Sequence, residues 1–263
     1  MSIAGIKVRK PAFEFPMDIR KYWYGGSALK TCFLNSFTLL FPGAESFFVK
    51  TVKRYLSELE GENRKEALAF MGQETQHSMQ HIKYWENMKQ QGYEIETLVS
   101  FYNWFIKEVV EKQLDETEQL ALTAGLEHYT ALLAEIALKG EYFEVSEPVM
   151  KKLFEWHAAE ELEHKSVAYN VLKQINPDYF LRIRLMLFAT IMLITFTGSY
   201  TALLLLQEKE IKYYNILMDG IELFLTREGV LFPALEIFFQ YFKPNFHPTD
   251  CDNLYLTKKV FKD

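Results

Sequence analysis

One arrangement occurs twice in this chain: a lone glutamate among apolar residues, then Glu-x-x-His some thirty residues later. The first copy is Glu45, in Pro-Gly-Ala-Glu-Ser-Phe-Phe, followed by Glu74-Thr-Gln-His77. The second is Glu127, in Ala-Gly-Leu-Glu-His-Tyr-Thr, followed by Glu161-Leu-Glu-His164. The two glutamates of each copy stand 29 and 34 residues apart. On a helix, residues three apart share a face, one turn from each other. A bare carboxylate on an apolar face is costly unless a cation or partner balances it. A fold that accepts this pattern must therefore bring four helices together around their own acidic groups.

Long stretches free of glycine and proline support an all-α fold; the chain has only 12 Gly and 8 Pro. Residues 1–26 read as an N-terminal arm broken by Pro11 and Pro16. Helical patterning begins at Ser27 and runs to about Glu60, interrupted at Pro42-Gly43. That pair reads either as a helix start or as an opening that admits substrate or oxygen. A second helix spans Glu62 to Gln91 and is closed by Gly92. Residues 93–115 form a connection with an aromatic run of their own. A third helix spans about Glu116 to Glu141. A fourth begins near Ser146-Glu147-Pro148 and ends before Asn176-Pro177. Two helix pairs joined by a long connection suit a four-helix bundle with one crossover over residues 27–177. Residues 178–263 then supply additional apolar and amphipathic helices, packed on the bundle or on a membrane.

The two motifs predict a dinuclear metal centre with Glu45, Glu74, His77, Glu127, Glu161 and His164 as ligands. Carboxylate oxygen bridges cations, and one imidazole completes each ion's shell. Oxygen-rich ligation of this kind suits iron, with manganese the alternative, better than structural zinc. The competing explanation is a set of buried salt bridges. His81 lies four residues beyond His77, and His157 four before Glu161, so both face the same way as the motifs. Each is a seventh ligand or, the preferred reading, a partner that hydrogen-bonds a ligating carboxylate. His128 reads as structural, His247 as loop packing, and Glu160 and Glu163 as facing solvent or a neighbouring helix.

This arrangement resembles the ferritin-like di-iron carboxylate superfamily. More narrowly, the stretches FPGAESFF, GQETQHSMQHIKYW, LEHYTA, WHAAEELEHKSVAYNV and FHPTD resemble a bacterial family catalogued as predicted metal-dependent hydrolases. The resemblance implies a ferritin-like bundle with one crossover and the six ligands; it leaves the substrate open.

Leu185 to Leu206 carries no charge over 22 residues, and about 20 such residues span a bilayer. The segment reads as membrane contact, as a wholly buried helix, or as a face covered in a homodimer. Net charge is −6, with no clustered basic face, which excludes a nucleic-acid partner. Two separated cysteines and no signal-like N-terminus point to the cytoplasm, or to the inner face of its membrane.

Three functions compete. The first is O2-dependent oxidation of a small or lipid-like organic substrate at two irons. The second is hydrolysis by a dimetal-activated water, which four electron-rich carboxylates disfavour because they weaken the metals as Lewis acids. The third is ferroxidase or iron-binding activity, for which residues 176–263 are superfluous.

Overall fold

A computed structural model describes residues 6–209, 211–227 and 229–261. Residues 1–5 of the predicted arm lie outside that description. The fold is all-α, as expected, with no strand among the described residues. Helix α1 spans Ala28–Arg54 and α2 Gly61–Gln90. From there α3 (Glu96–Trp104), a π-helical stretch (Phe105–Val110) and the short α4 (Glu111–Gln113) carry the chain to α5 (Glu116–Lys139). Then come α6 (Pro148–His164) and α7 (Val167–Ile175). Helices α8 (Tyr179–Leu205), α9 (Tyr213–Gly220), α10 (Leu231–Gln240) and α11 (Thr257–Val260) follow.

Local chemistry sets these boundaries. Ser27 Oγ accepts from the Lys30 amide at the start of α1, and Asp178 does the same for Leu181 at the start of α8. Asp115 and Glu118 exchange side-chain and backbone bonds as a reciprocal cap on α5. Pro148 opens α6, where its missing N–H costs nothing. Gly92 takes φ +91° just past α2, a conformation open to glycine at no steric cost.

Two expectations about the helices are corrected. Pro42-Gly43 is neither a helix start nor a break, because α1 runs straight through it. Proline removes the donor for the carbonyl four residues back, that of Thr38. The indole of Trp85 on α2 donates to that carbonyl instead, at 3.1 Å. Gly43 lets α3 approach, since a Cβ there would stand 2.7 Å from Asn103 Oδ1 and 2.9 Å from the Tyr102 ring. The connection over 93–115 is itself largely helical. The predicted fourth helix is two helices, divided at Lys165–Ser166 just after His164, where the buried Lys165 ammonium reaches the Cys251 carbonyl and Asn253.

Helix α1 packs along α2, α5 along α6, and α1 also meets α5. The apolar core lies between them, with Trp23, Phe47, Phe70, Tyr84, Leu120 and Leu122 almost wholly buried. On the outer side, α8 packs on both α1 and α5, α9 on α1, and α10 on α5. Among the described residues, two helices, α1 and α8, are long and apolar enough to cross a bilayer. Most of α1 is buried as a core helix, whereas α8 is not the wholly buried helix that one reading allowed. Leu185, Met186, Ala189, Met192 and Phe196 turn inward, while Leu187, Ile191 and Ile194 are exposed. Both cysteines are free.

Candidate metal centre

The bundle brings the residues of both motifs into one buried cluster. Glu45 comes from α1, Glu74 and His77 from α2, Glu127 from α5, and His157, Glu161 and His164 from α6. All seven are buried. Their donor atoms form two neighbouring groups. One holds Glu45, His77 and His157; the other holds Glu74, Glu127, Glu161 and His164. Within each group the atoms lie within 4.8 Å of one another. Donors bound 2.0–2.2 Å from one cation stand about 2.8–4.4 Å apart. His164 Nε2 lies 3.1 Å from Glu74, 3.4 Å from Glu127 and 3.1 Å from Glu161. His77 Nδ1 is 3.5 Å from Glu161 Oε1, and His157 Nε2 is 2.8 Å from the same oxygen. Glu161 thus faces both groups.

The hydrogen-bond inventory supports a cation in each group. Both oxygens of Glu74, both of Glu127, Oε1 of Glu45 and Nδ1 of His77 are buried with no hydrogen-bond partner among the described residues. Such groups normally find one, and leaving them bare costs about 1–3 kcal/mol each. The orphaned atoms are also the ones that face each other. Glu45 is aimed by Ser78, whose hydroxyl donates to Oε2 at 2.6 Å and leaves Oε1 turned inward. Burial, with neighbouring carboxylates adding to it, holds Glu45, Glu74 and Glu127 well above the usual carboxylate range. Burial also opposes ionisation of Glu161, yet the facing His164 and His157 pull it well below that range. Burial pushes His77 and His81 down, which leaves neutral imidazoles. A neutral imidazole is the form that binds metal.

The two additional histidines separate. His157 stands inside the first donor group. His81 belongs to neither group; its Nε2 lies 2.8 Å from His157 Nδ1, and its own Nδ1 contacts Thr38 Oγ1. Of the two placements expected for Glu160 and Glu163, the neighbouring helix is the one found: both meet side chains of α2. Glu160 is fully buried, with Oε2 3.1 Å from His77 Nε2. Burial raises its carboxyl to about 7, against the pull of Arg9. Glu163 accepts from Gln73 Nε2 at 2.9 Å, and Gln73 Oε1 lies 3.0 Å from His164 Nδ1. His128 packs against Tyr241 and Phe246, and His247 pairs with Asn170 and Thr249 in a loop, so both stay away from the cluster.

An apolar cavity of about 140 Å³ adjoins the cluster. Phe37, Phe41, Ala44 and Phe48 of α1, Leu126 and Leu133 of α5, and Met192 and Phe196 of α8 form its walls. His157 and Glu161 form part of its lining. Phe41 lies 4.5 Å from the His157 ring, centroid to centroid.

These features define an all-α protein with a buried, carboxylate-rich pair of groups able to hold metal ions beside an apolar cavity. The chain belongs to the family described as predicted metal-dependent hydrolase, which matches residues 7–252. No curated protein and no solved structure matches it. The family description agrees with the hydrolase alternative drawn from the sequence and does not speak of oxidation.

Proposed function

We propose that this chain is a dinuclear metal enzyme acting on an apolar, chain-like organic substrate. One observation carries the reading: the walls of the apolar cavity close on His157 and Glu161, one from each donor group. A substrate buried in that cavity would have its reactive carbon beside the centre and its tail among Phe37, Leu133 and Met192. Glu45, His77 and His157 would hold one ion; Glu74, Glu127 and His164 would hold the other, with Glu161 between them. Iron fits this donor set best, manganese next. The bundle is then a ferritin-like plan with the substrate cavity on its α1–α5 side. The exposed apolar stripe on α8 supports a site of action at the inner face of the cell membrane, where chain-like substrates are found.

Two reactions suit such a centre, and each has support. When bound, two such ions supply either O2 activation or an acidic water. Four carboxylates offset the charge of two divalent ions, which stabilises higher oxidation states and leaves bound water less acidic. This favours O2-dependent oxidation of the substrate. The apolar walls exclude bulk water and shield a reactive carbon from side reactions. The family description favours hydrolysis instead, and then the substrate is an ester with a long apolar arm. The cavity lining offers little to hold a phosphate: Lys30, the one cationic residue among the described lining residues, is paired with Glu222 at 2.8 Å.

One experiment separates the two. Metal-free protein is reloaded anaerobically with ferrous iron, and in parallel with manganese or zinc. Oxygen uptake is measured with long-chain aldehydes, alcohols and acids present; ester hydrolysis is measured with long-chain acyl esters. O2 consumption stimulated by a long-chain substrate supports oxidation. Metal-dependent ester cleavage with no O2 uptake establishes hydrolysis. If metal does not bind at all, the dinuclear reading fails.

A further inference from the structure

Each histidine at the end of a Glu-x-x-His motif turns one ring nitrogen toward the cluster and the other away from it. The outward atoms are His77 Nε2 and His164 Nδ1. The first meets Glu160 Oε2 at 3.1 Å, and the second meets Gln73 Oε1 at 3.0 Å. An amide oxygen only accepts, and so does Glu160 while Arg9 holds it ionised; in that state the outward nitrogen of each ring carries the hydrogen. That leaves the inward nitrogen with its lone pair free for a metal.

The amide of Gln73 could present either end to His164, and its surroundings decide which. Its Nε2 donates to Glu163 Oε2 at 2.9 Å and to the Lys7 carbonyl at 3.2 Å. With the nitrogen so occupied, the oxygen faces the ring. Both routes outward then meet at one residue. Arg9 donates from Nη1 to Glu160 Oε1 at 3.0 Å, and from Nη1 and Nη2 to the two oxygens of Glu163 at 2.8 Å each. This fork matches the guanidinium geometry, which lysine cannot reproduce. Arg9 lies on the irregular N-terminal arm, and its guanidinium carbon sits 3.5 Å from the ring centroid of Phe261 near the C-terminus. The arm can lie against α2 because residue 72 is glycine; a Cβ there would stand 2.8 Å from Val8.

We propose that Arg9 is a positioning residue for both halves of the metal centre. Through Glu160 it sets the tautomer and angle of His77, and through Glu163 and Gln73 those of His164. Loading of the two ions is thereby coupled to docking of the arm. This rests on the dinuclear reading, and its test keeps the two apart.

The test uses the full chain, carrying Arg9→Ala, Arg9→Lys or the packing control Val8→Ala. Metal-free protein is titrated with Mn(II), followed by electron paramagnetic resonance. Separately, 15N-histidine NMR of the metal-free protein reports the ring tautomers. In wild type, His77 should be the Nε2–H form and His164 the Nδ1–H form. In Arg9→Ala both tautomers should become mixed, and both Mn(II) dissociation constants should rise roughly ten- to a hundredfold. Arg9→Lys should fall between wild type and Arg9→Ala, and Val8→Ala should match wild type. Unchanged tautomers and affinities in Arg9→Ala overturn the proposal, as does a change at only one histidine or an equal effect of Val8→Ala. Wild type that binds no Mn(II) but shows the Arg9-dependent tautomers overturns the dinuclear reading and the coupled loading, and leaves the tautomer control standing.

Discussion

The bundle over 27–177 and the helices after it use apolar and polar residues in opposite ways. The bundle buries seven Glu and His side chains in the donor groups at its centre. The C-terminal helices leave Ile191, Ile194, Leu206, Leu217 and Phe239 on the surface. Neither choice maximises stability. Burying carboxylates costs free energy, and exposed apolar surface forgoes about 25 cal/mol per Å² of burial. Each departure marks a place where the molecule is shaped for something other than folding alone. Under the proposed function, a metal pair would answer the interior departure, and an apolar environment outside the chain the surface one.

The comparison breaks most sharply at Glu161, which faces both donor groups. Glu161→Ala should abolish binding of both ions, while Glu74→Ala or His164→Ala should remove most metal. All three should keep helical circular dichroism near that of wild type. Elemental analysis after reconstitution checks this, and full metal content in all three would mean that the carboxylates serve only as structural ion pairs. A smaller effect is expected from the paired histidines. His157→Ala should leave about one ion per chain, since it removes one of three donors in the Glu45 group, whereas His81→Ala should retain both with affinity weakened roughly ten- to a hundredfold. Equal outcomes for the two variants would dissolve the distinction between them.

Metal removal tests the interior departure as a whole. With metal at about a hundred times its dissociation constant, each ion bound should add about 2.7 kcal/mol. For a chain of this size that raises Tm by about 5–10 °C. Differential scanning calorimetry with and without Mn(II) measures it; no difference would show that the carboxylates need no cation. The surface departure carries the smallest effect on the fold. Ile191→Glu with Ile194→Glu should leave Tm and metal content nearly unchanged, yet lower co-sedimentation with phosphatidylcholine vesicles. If wild type and the double variant stay equally in the supernatant, the α8 face has some other use.

Much of this was legible beforehand because helical phase is a local property. Residues three apart share a face in any helix, so Glu74 with His77, and Glu161 with His164, could be paired without knowing the neighbours. The lone glutamates followed from the cost of a carboxylate in an apolar run. What escaped depends on other helices. Glu160 looks peripheral on α6 alone and becomes buried because His77 of α2 comes to meet it. His157 joins a donor group because α1 delivers Glu45 opposite it. Arg9 lies in an irregular arm with no period to read, and nothing local ties it to residues 160–163. The uninterrupted course of α1 was hidden because proline signals a break, and only Trp85, more than forty residues on, supplies the missing donor.

That substitution of donors has a mechanical consequence. A helix whose bonds are all internal can slide along its neighbour, or roll about its own axis, while its hydrogen bonding stays intact. At Thr38 one of the bonds of α1 is held by α2 instead, so a slip of even half a turn would break it. The joint works as a dowel between two beams. It stands two turns of helix before Glu45 on one side and two turns after His77 on the other. The registration between these two side chains, from different helices, is held by the Ser78 bond to Glu45 beside them and by an indole two turns away.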